Sequence, residues 1–179
     1  VQIEDQICRL MGVLNALSAT ARWVVLSGSL PPGWPMDTYA TLTRHVHALG
    51  GKVMLDTSGQ PFTEALKASP DMVKPNRDEL AEHLGRPLKT VAEVVEAARR
   101  LLNESHEMSL VAVSMGRDGA VFVSPSSAIV AHPLEVELIS SVGAGDAMVA
   151  GIVAAQLHAL SLGECAQLAE VASVAHECL

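Results

Sequence analysis

The sequence predicts an α/β protein of three layers, with helices on both faces of a mostly parallel sheet, on three observations. Short apolar runs alternate with segments of helical periodicity along the chain. Four of these runs end in a small polar cluster: Ser27-Gly28-Ser29, Asp56-Thr57-Ser58-Gly59, Lys74-Pro75-Asn76 and Ser114-Met115-Gly116. Only 3% of the 179 residues are aromatic while 49% are hydrophobic, so the core must be aliphatic, which suits helices packed on a parallel sheet.

The elements follow in order. Ile7, Leu10, Met11, Leu14 and Leu17 recur at helical spacing and predict a helix over 5–21. Trp23 to Leu26 is a continuous apolar run and reads as a buried strand, followed by a loop rich in Pro and Gly, 31–35. A helix over 37–49 is stopped by Gly50-Gly51. Lys52 to Leu55 and Met72-Val73 are strands, with a short helix over 61–68 between them. Glu79 to Leu84 is helical, and Val91 to Leu102 is amphipathic. Leu110 to Val113 is a strand; 120–123 and 128–132 alternate as hairpin strands; two helices, over 144–159 and from Leu162 onward, end the chain. Strand–helix alternation implies right-handed crossovers and one domain over 1–179. The polar clusters at the strand ends then line one rim, the edge at which open α/β sheets bind ligands.

Charge and composition exclude several classes. A net charge of −8 argues against nucleic acid or an anionic membrane as the main partner, yet local backbone N–H groups can still bind an anion. Cys8, Cys165 and Cys178 show no close pairing, which suits a reducing cytoplasm rather than a disulfide framework. No apolar run reaches membrane-span length, and no secretory leader opens the chain. His45 and His47 sit on different helix faces, and His106-Glu107 lacks the second histidine of a zinc-protease helix, Leu110 standing there. The methionines are core filler, and Asp56 is a turn residue on the rim.

The chemistry concentrates in Ser141-Val142-Gly143-Ala144-Gly145-Asp146, a glycine-rich turn that runs straight into a nearly all-apolar helix. Such a helix is buried on most sides, and its N-terminus carries unbonded N–H groups and about half a positive charge. Gly143 and Gly145 allow close approach to the backbone, so an anion site is expected. Asp146 in the first turn suits a general base that takes a proton from a substrate hydroxyl while the N–H groups steady a transferring phosphoryl group. A plain turn with an Asp cap would give the same residues. A dinucleotide fingerprint is excluded, because its third Gly falls at Met148, and no Gly-Lys-Ser/Thr of a Walker A loop occurs.

Val142-Gly143-Ala144-Gly145-Asp146 resembles the second signature of the ribokinase/PfkB carbohydrate kinases, and Ser140-Ser141 before it favours the phosphofructokinase branch. The resemblance implies Asp146 as catalytic base and Gly143, Ala144 and Gly145 as the anion hole. Ser27 to Gly33 resembles the branch's S-G-S-L-P-x-G stretch, which implies that Ser29 contacts the sugar phosphate. Asn76-Arg77-Asp78-Glu79 matches the family's N-x-x-E motif, so Asn76 and Glu79 are implied to organise magnesium through water. The same two residues read as a capping box, and both roles can hold together. Lys74 and Asn76, with Ser114, Gly116 and Gly119 of an S-x-G-x-x-G stretch, are implied to lie along the nucleotide. Ser27 to Gly33 and Ser114 to Gly119 also read as ordinary turns.

The resemblance implies a ribokinase-like fold, ATP, Mg2+ and a monovalent cation. It further implies phosphoryl transfer to a ketohexose phosphate: fructose 1-phosphate or fructose 6-phosphate first, tagatose 6-phosphate next. It covers only the later part of a family member. The family's β-sheet lid and Gly-Gly signature have no counterpart before Ser27, and the end at Leu179 is early. The expectation is a chain truncated at both ends, with weak nucleotide binding and little turnover, cytoplasmic, and part of a homodimer in a full-length protein. A non-catalytic nucleotide-binding remnant is the competing class; a nicotinamide-dependent oxidoreductase is disfavoured by Met148.

Overall fold

The computed structural model describes residues 2–17, 20–105, 107–132 and 143–177. Ser140, Ser141 and Val142 of the signature, and His106 and Cys178, lie outside the described residues. Six strands in the order β1 to β6 form a mixed sheet flanked by helices, a three-layer α/β architecture. The chain divides into two compact units: 1–73 with 105–108, and 74–104 with 109–179.

The first unit holds α1 (Ile3–Leu17), β1 (Trp23–Ser27), α2 (Thr38–Ala48), β2 (Lys52–Asp56), α3 (Gly59–Leu66) and β3 (Met72–Val73). β1 and β2 run parallel from Trp23↔Lys52 to Ser27↔Asp56, and β3 joins β2 at Met54↔Met72. Val53, Met54 and Leu55 are fully buried, as an uninterrupted apolar strand covered on both faces demands. Leu42 and Val46 of α2 and Phe62 and Ala65 of α3 supply the helix side of that core. Asp71 ties the layers together: its Oδ2 accepts the Val53 N–H at 2.8 Å and meets His47 Nε2 at 2.9 Å.

β1 departs from the expectation of a buried strand. Leu26 is its one buried residue, and Val25 is 43% exposed. Val25 projects from the face opposite to buried Leu26, so the strand is covered more fully on one face than on the other. The helix expected over 5–21 is described as α1 over Ile3–Leu17, with Ser18 and Ala19 outside the described residues; among its described residues only Leu14 is buried, and Val13 and Leu17 are exposed. Gly50, at φ +78°, closes α2 as expected.

The second unit holds α4 (Arg77–Leu84), α5 (Val91–Asn103), β4 (Leu110–Ser114), β5 (Ala120–Val123), β6 (Ala128–Ala131), α6 (Ala144–Leu157) and α7 (Leu162–Glu177). β4 to β6 form an antiparallel meander with Val111↔Val123 and Val121↔Val130 in register. α5 starts at a capping box between Thr90 and Glu93, and its Val94, Ala97, Ala98, Leu101 and Leu102 are buried at helical spacing. α6 packs on α7 without a side chain at Gly151. A Cβ there would lie 2.8 Å from Ala169 Cα.

Candidate active site

The α6 N-terminus is built by Gly143. Its φ of +88° is a left-handed conformation that turns the chain into the helix, and glycine itself has no side chain with which to cap the end. Ala147 N–H donates to the Gly143 carbonyl at 2.9 Å and closes the first helical turn. The N–H groups of Ala144 and Gly145 have no carbonyl four residues back inside the helix. Asp146 lies in this turn and is exposed.

Lys74 reaches the same place from the residue after β3. It is only 5% exposed, and a Cβ on Gly145 would stand 3.5 Å from its Nζ. Gly145 thus brings the buried Lys74 side chain beside the positive end of a helix. Two positive features side by side favour an anion next to them.

The α4 start is fixed by the capping box read from the sequence. Glu79 N–H donates to Asn76 Oδ1, and Asn76 N–H donates to Glu79 Oε2, each at 2.8 Å. Asn76 forms a parallel bridge with Ser114 at the end of β4, and Ser114 N–H donates to the Pro75 carbonyl at 3.2 Å. Lys74, Asn76, Glu79 and Ser114 are therefore on adjoining backbone. Beyond Ser114, Gly116 and Gly119 take left-handed or positive-φ conformations, +57° and +82°, and Met115 N–H donates to the Gly119 carbonyl at 2.8 Å.

One pair beside these turns was not legible in the sequence. Arg77 Nη2 donates to Asp118 Oδ2 at 2.6 Å and joins the α4 start to the Gly116–Asp118 turn. The signal lay in the variable positions of the two motifs, a base in Asn-Arg-Asp-Glu and an acid in Gly-Arg-Asp-Gly.

Ser29 belongs to the first unit. It is exposed, directly after Gly28 at φ +91°, where β1 ends. Gly28 N–H donates to the Asp56 carbonyl at 2.9 Å, and the Gly28 carbonyl accepts from Thr57 Oγ1 at 2.8 Å and from the Tyr39 hydroxyl at 3.0 Å. The rim residues Asp56 and Thr57 thus build the turn that presents Ser29. Tyr39 drew no attention in the sequence because it sits inside a helical stretch. His45 and His47 pair with Asn15 and Asp71, and among the described residues no group of three or more His, Cys, Asp or Glu could hold a metal directly.

A glycine-opened helix N-terminus, a buried lysine and a capped Asn-x-x-Glu turn thus lie together in the second unit. The pfkB family carbohydrate kinase model matches residues 4–178, and the chain belongs to that family. It is 48% identical over 152 residues to a 1-phosphofructokinase of Rhodobacter capsulatus, covering 85% of this chain and 48% of that one. A 1-phosphofructokinase of Xanthomonas campestris is 45% identical over 173 residues, with 92% and 54% covered. The structure of phosphofructokinase-2 from Escherichia coli in complex with potassium superposes with a TM-score of 0.91 at 30% identity, over 98% of this chain and 57% of that one. The chain therefore spans about half the length of the relatives it matches. No described helix is long and apolar enough to cross a membrane.

Proposed function

We propose that this chain carries the nucleotide and phosphoryl-transfer site of an ATP-dependent kinase acting on a ketohexose phosphate, with fructose 1-phosphate the leading substrate. The observation that carries the reading is the α6 N-terminus: opened by Gly143, with buried Lys74 beside Gly145 in its first turn. The names of the relatives support the substrate choice. Fructose 6-phosphate and tagatose 6-phosphate are the alternatives.

In this reading Asp146 accepts the proton of the substrate hydroxyl, and the oxygen attacks the terminal phosphorus of ATP as its bond to the bridging oxygen breaks and ADP leaves. The N–H groups of Ala144 and Gly145, set by the Gly143 turn, donate to the phosphoryl oxygens as charge develops. Each such donor is worth on the order of 10²–10³ in rate. Lys74 adds fixed positive charge, and Ser114, Gly116 and Gly119 flank the nucleotide. Ser29 donates to the phosphate of the sugar.

Asn76 and Glu79 offer hard oxygen donors suited to magnesium held through water, although the single side-chain oxygen of Asn76 and one of the two of Glu79 serve the α4 cap. Bound there, the ion would offset the negative charge of the phosphates. A monovalent cation is proposed by likeness to the potassium complex of the E. coli protein, and a homodimer is proposed for the longer protein.

The test is phosphorylation of fructose 1-phosphate by the wild type and Asp146→Asn. A general base predicts a loss of about 10²–10⁴-fold in kcat, with MgATP affinity held. Equal turnover in both proteins removes Asp146 as the base. The second reading is a nucleotide-binding remnant, favoured by the half-length match. It predicts MgATP binding with no turnover in either protein.

A further inference from the structure

The Ser27–Ser29 turn is held more firmly than a surface loop requires. Gly28 is bonded on both sides: its N–H donates to the Asp56 carbonyl, and its carbonyl accepts two hydroxyls. The Tyr39 hydroxyl lies 3.0 Å from both the Ser27 and the Gly28 carbonyls, so its one proton is shared between them. Tyr39 is 7% exposed and Thr57 6% exposed. Burial, with the Asp56 charge second, pushes the Tyr39 phenol up from its ordinary value, so it is a protonated donor throughout the neutral range.

The geometry of the next peptide gives this clamp a direction. In a trans peptide the carbonyl and the following N–H point opposite ways, and the described chain has no cis bond. With the Gly28 carbonyl drawn toward Tyr39 and Thr57, the Ser29 N–H faces away from them, on the side of the exposed Ser29. Backbone N–H and side-chain hydroxyl of one serine then form a two-donor element for an anionic oxygen.

We infer that Tyr39 and Thr57 are positioning residues for a sugar-phosphate oxygen, fixing the Gly28–Ser29 peptide so that Ser29 offers its N–H and Oγ together. This rests on the reading of Ser29 as the phosphate contact. Neither hydroxyl touches the substrate. Both act by holding one carbonyl, at the start of α2 and the end of β2.

The test uses the 15N-labelled chain, with Tyr39→Phe and Thr57→Val, which preserve shape and remove one donor each. Amide exchange is followed at Gly28 and across β2, and the Ser29 amide is followed in titrations with fructose 1-phosphate and, separately, MgATP. The expected result is Gly28 exchange about tenfold faster in each variant with β2 unchanged, since local opening is read by exchange. Half-saturation by fructose 1-phosphate should rise at least about fivefold, a loss of order one charge-assisted hydrogen bond, and the MgATP response should stay the same. A merely structural role would move both ligands together and accelerate β2, and that result overturns the inference. So does unchanged Gly28 exchange in both variants, or faster exchange with unaltered sugar-phosphate affinity. A wild type whose Ser29 amide ignores fructose 1-phosphate overturns the substrate reading of Ser29; Gly28 exchange then decides by itself whether the two hydroxyls hold the turn.

Discussion

Gly151→Ala separates helix propensity from packing in the helix that carries Asp146. Inside a helix, Ala is favoured over Gly by about 1 kcal/mol. Here the added methyl would lie 2.8 Å from Ala169 Cα, 3.1 Å from Ala169 N and 3.1 Å from the Leu168 carbonyl oxygen. All three are backbone atoms of α7, so no rotamer change relieves the clash and one helix must shift from the other. Overpacking of this kind costs about 1–3 kcal/mol, and the backbone nature of the contact places it at the upper end. The net effect is a destabilisation of about 2 kcal/mol after the propensity gain. For a chain of this size that lowers Tm by about 4–8 °C. The control is Gly12→Ala in α1, where nothing lies within 4 Å of the new methyl, and Tm should hold or rise. Thermal unfolding followed by circular dichroism measures both. A Gly151→Ala Tm at or above the wild-type value would show that α6 and α7 are not packed backbone to backbone.

Further outcomes follow from the site and its caps. Asn76→Ala removes the α4 cap and should cost about 1 kcal/mol in denaturant unfolding, with MgATP affinity falling as well; unchanged affinity would restrict Asn76 to capping. Arg77→Ala and Asp118→Ala should each change stability by less than about 1 kcal/mol, because the pair is partly exposed. If that pair holds the two nucleotide turns together, both variants weaken MgATP binding and the double variant is no worse than either; additive losses would deny the coupling. The Glu93 carboxyl is held below its ordinary value, chiefly by the Thr90 N–H and then the Lys89 N–H. A depressed folded pKa gives stability that is present above the ordinary Glu range and lost as pH falls through the lowered value. Glu93→Gln should therefore flatten the acid limb of the stability–pH curve, and an unchanged limb would count against the cap.

Much of the fold was legible because its signals are local. β3 and β5 fall at Met72–Val73 and Ala120–Val123 as read, since Pro or Gly near their ends limits these short apolar stretches, although β5 was read as alternating and is buried along its whole length. The Asn76–Glu79 cap was legible for the same reason: Asn followed three residues later by Glu before a helix specifies both hydrogen bonds. β1 was misread because apolar content does not report which faces of a strand are covered. Val25 would look the same on a covered face, and its exposure depends on what packs there. The approach of Lys74 to Gly145, the Arg77–Asp118 pair and the Tyr39 clamp were not legible. Each joins residues far apart in sequence, 71 positions in the first case, so only the folded chain brings them together.

The claim on which the rest depends is that the α6 N-terminus binds the phosphates of ATP. Calorimetric titration of MgATP into the wild type, Gly145→Ala and Asp146→Asn tests it directly. Binding by the wild type and Asp146→Asn, with a loss of about tenfold or more in Gly145→Ala as the methyl comes against the Lys74 side chain, is the predicted result. Equal affinity in all three folded proteins, or no binding by the wild type, would contradict an anion site at this helix end.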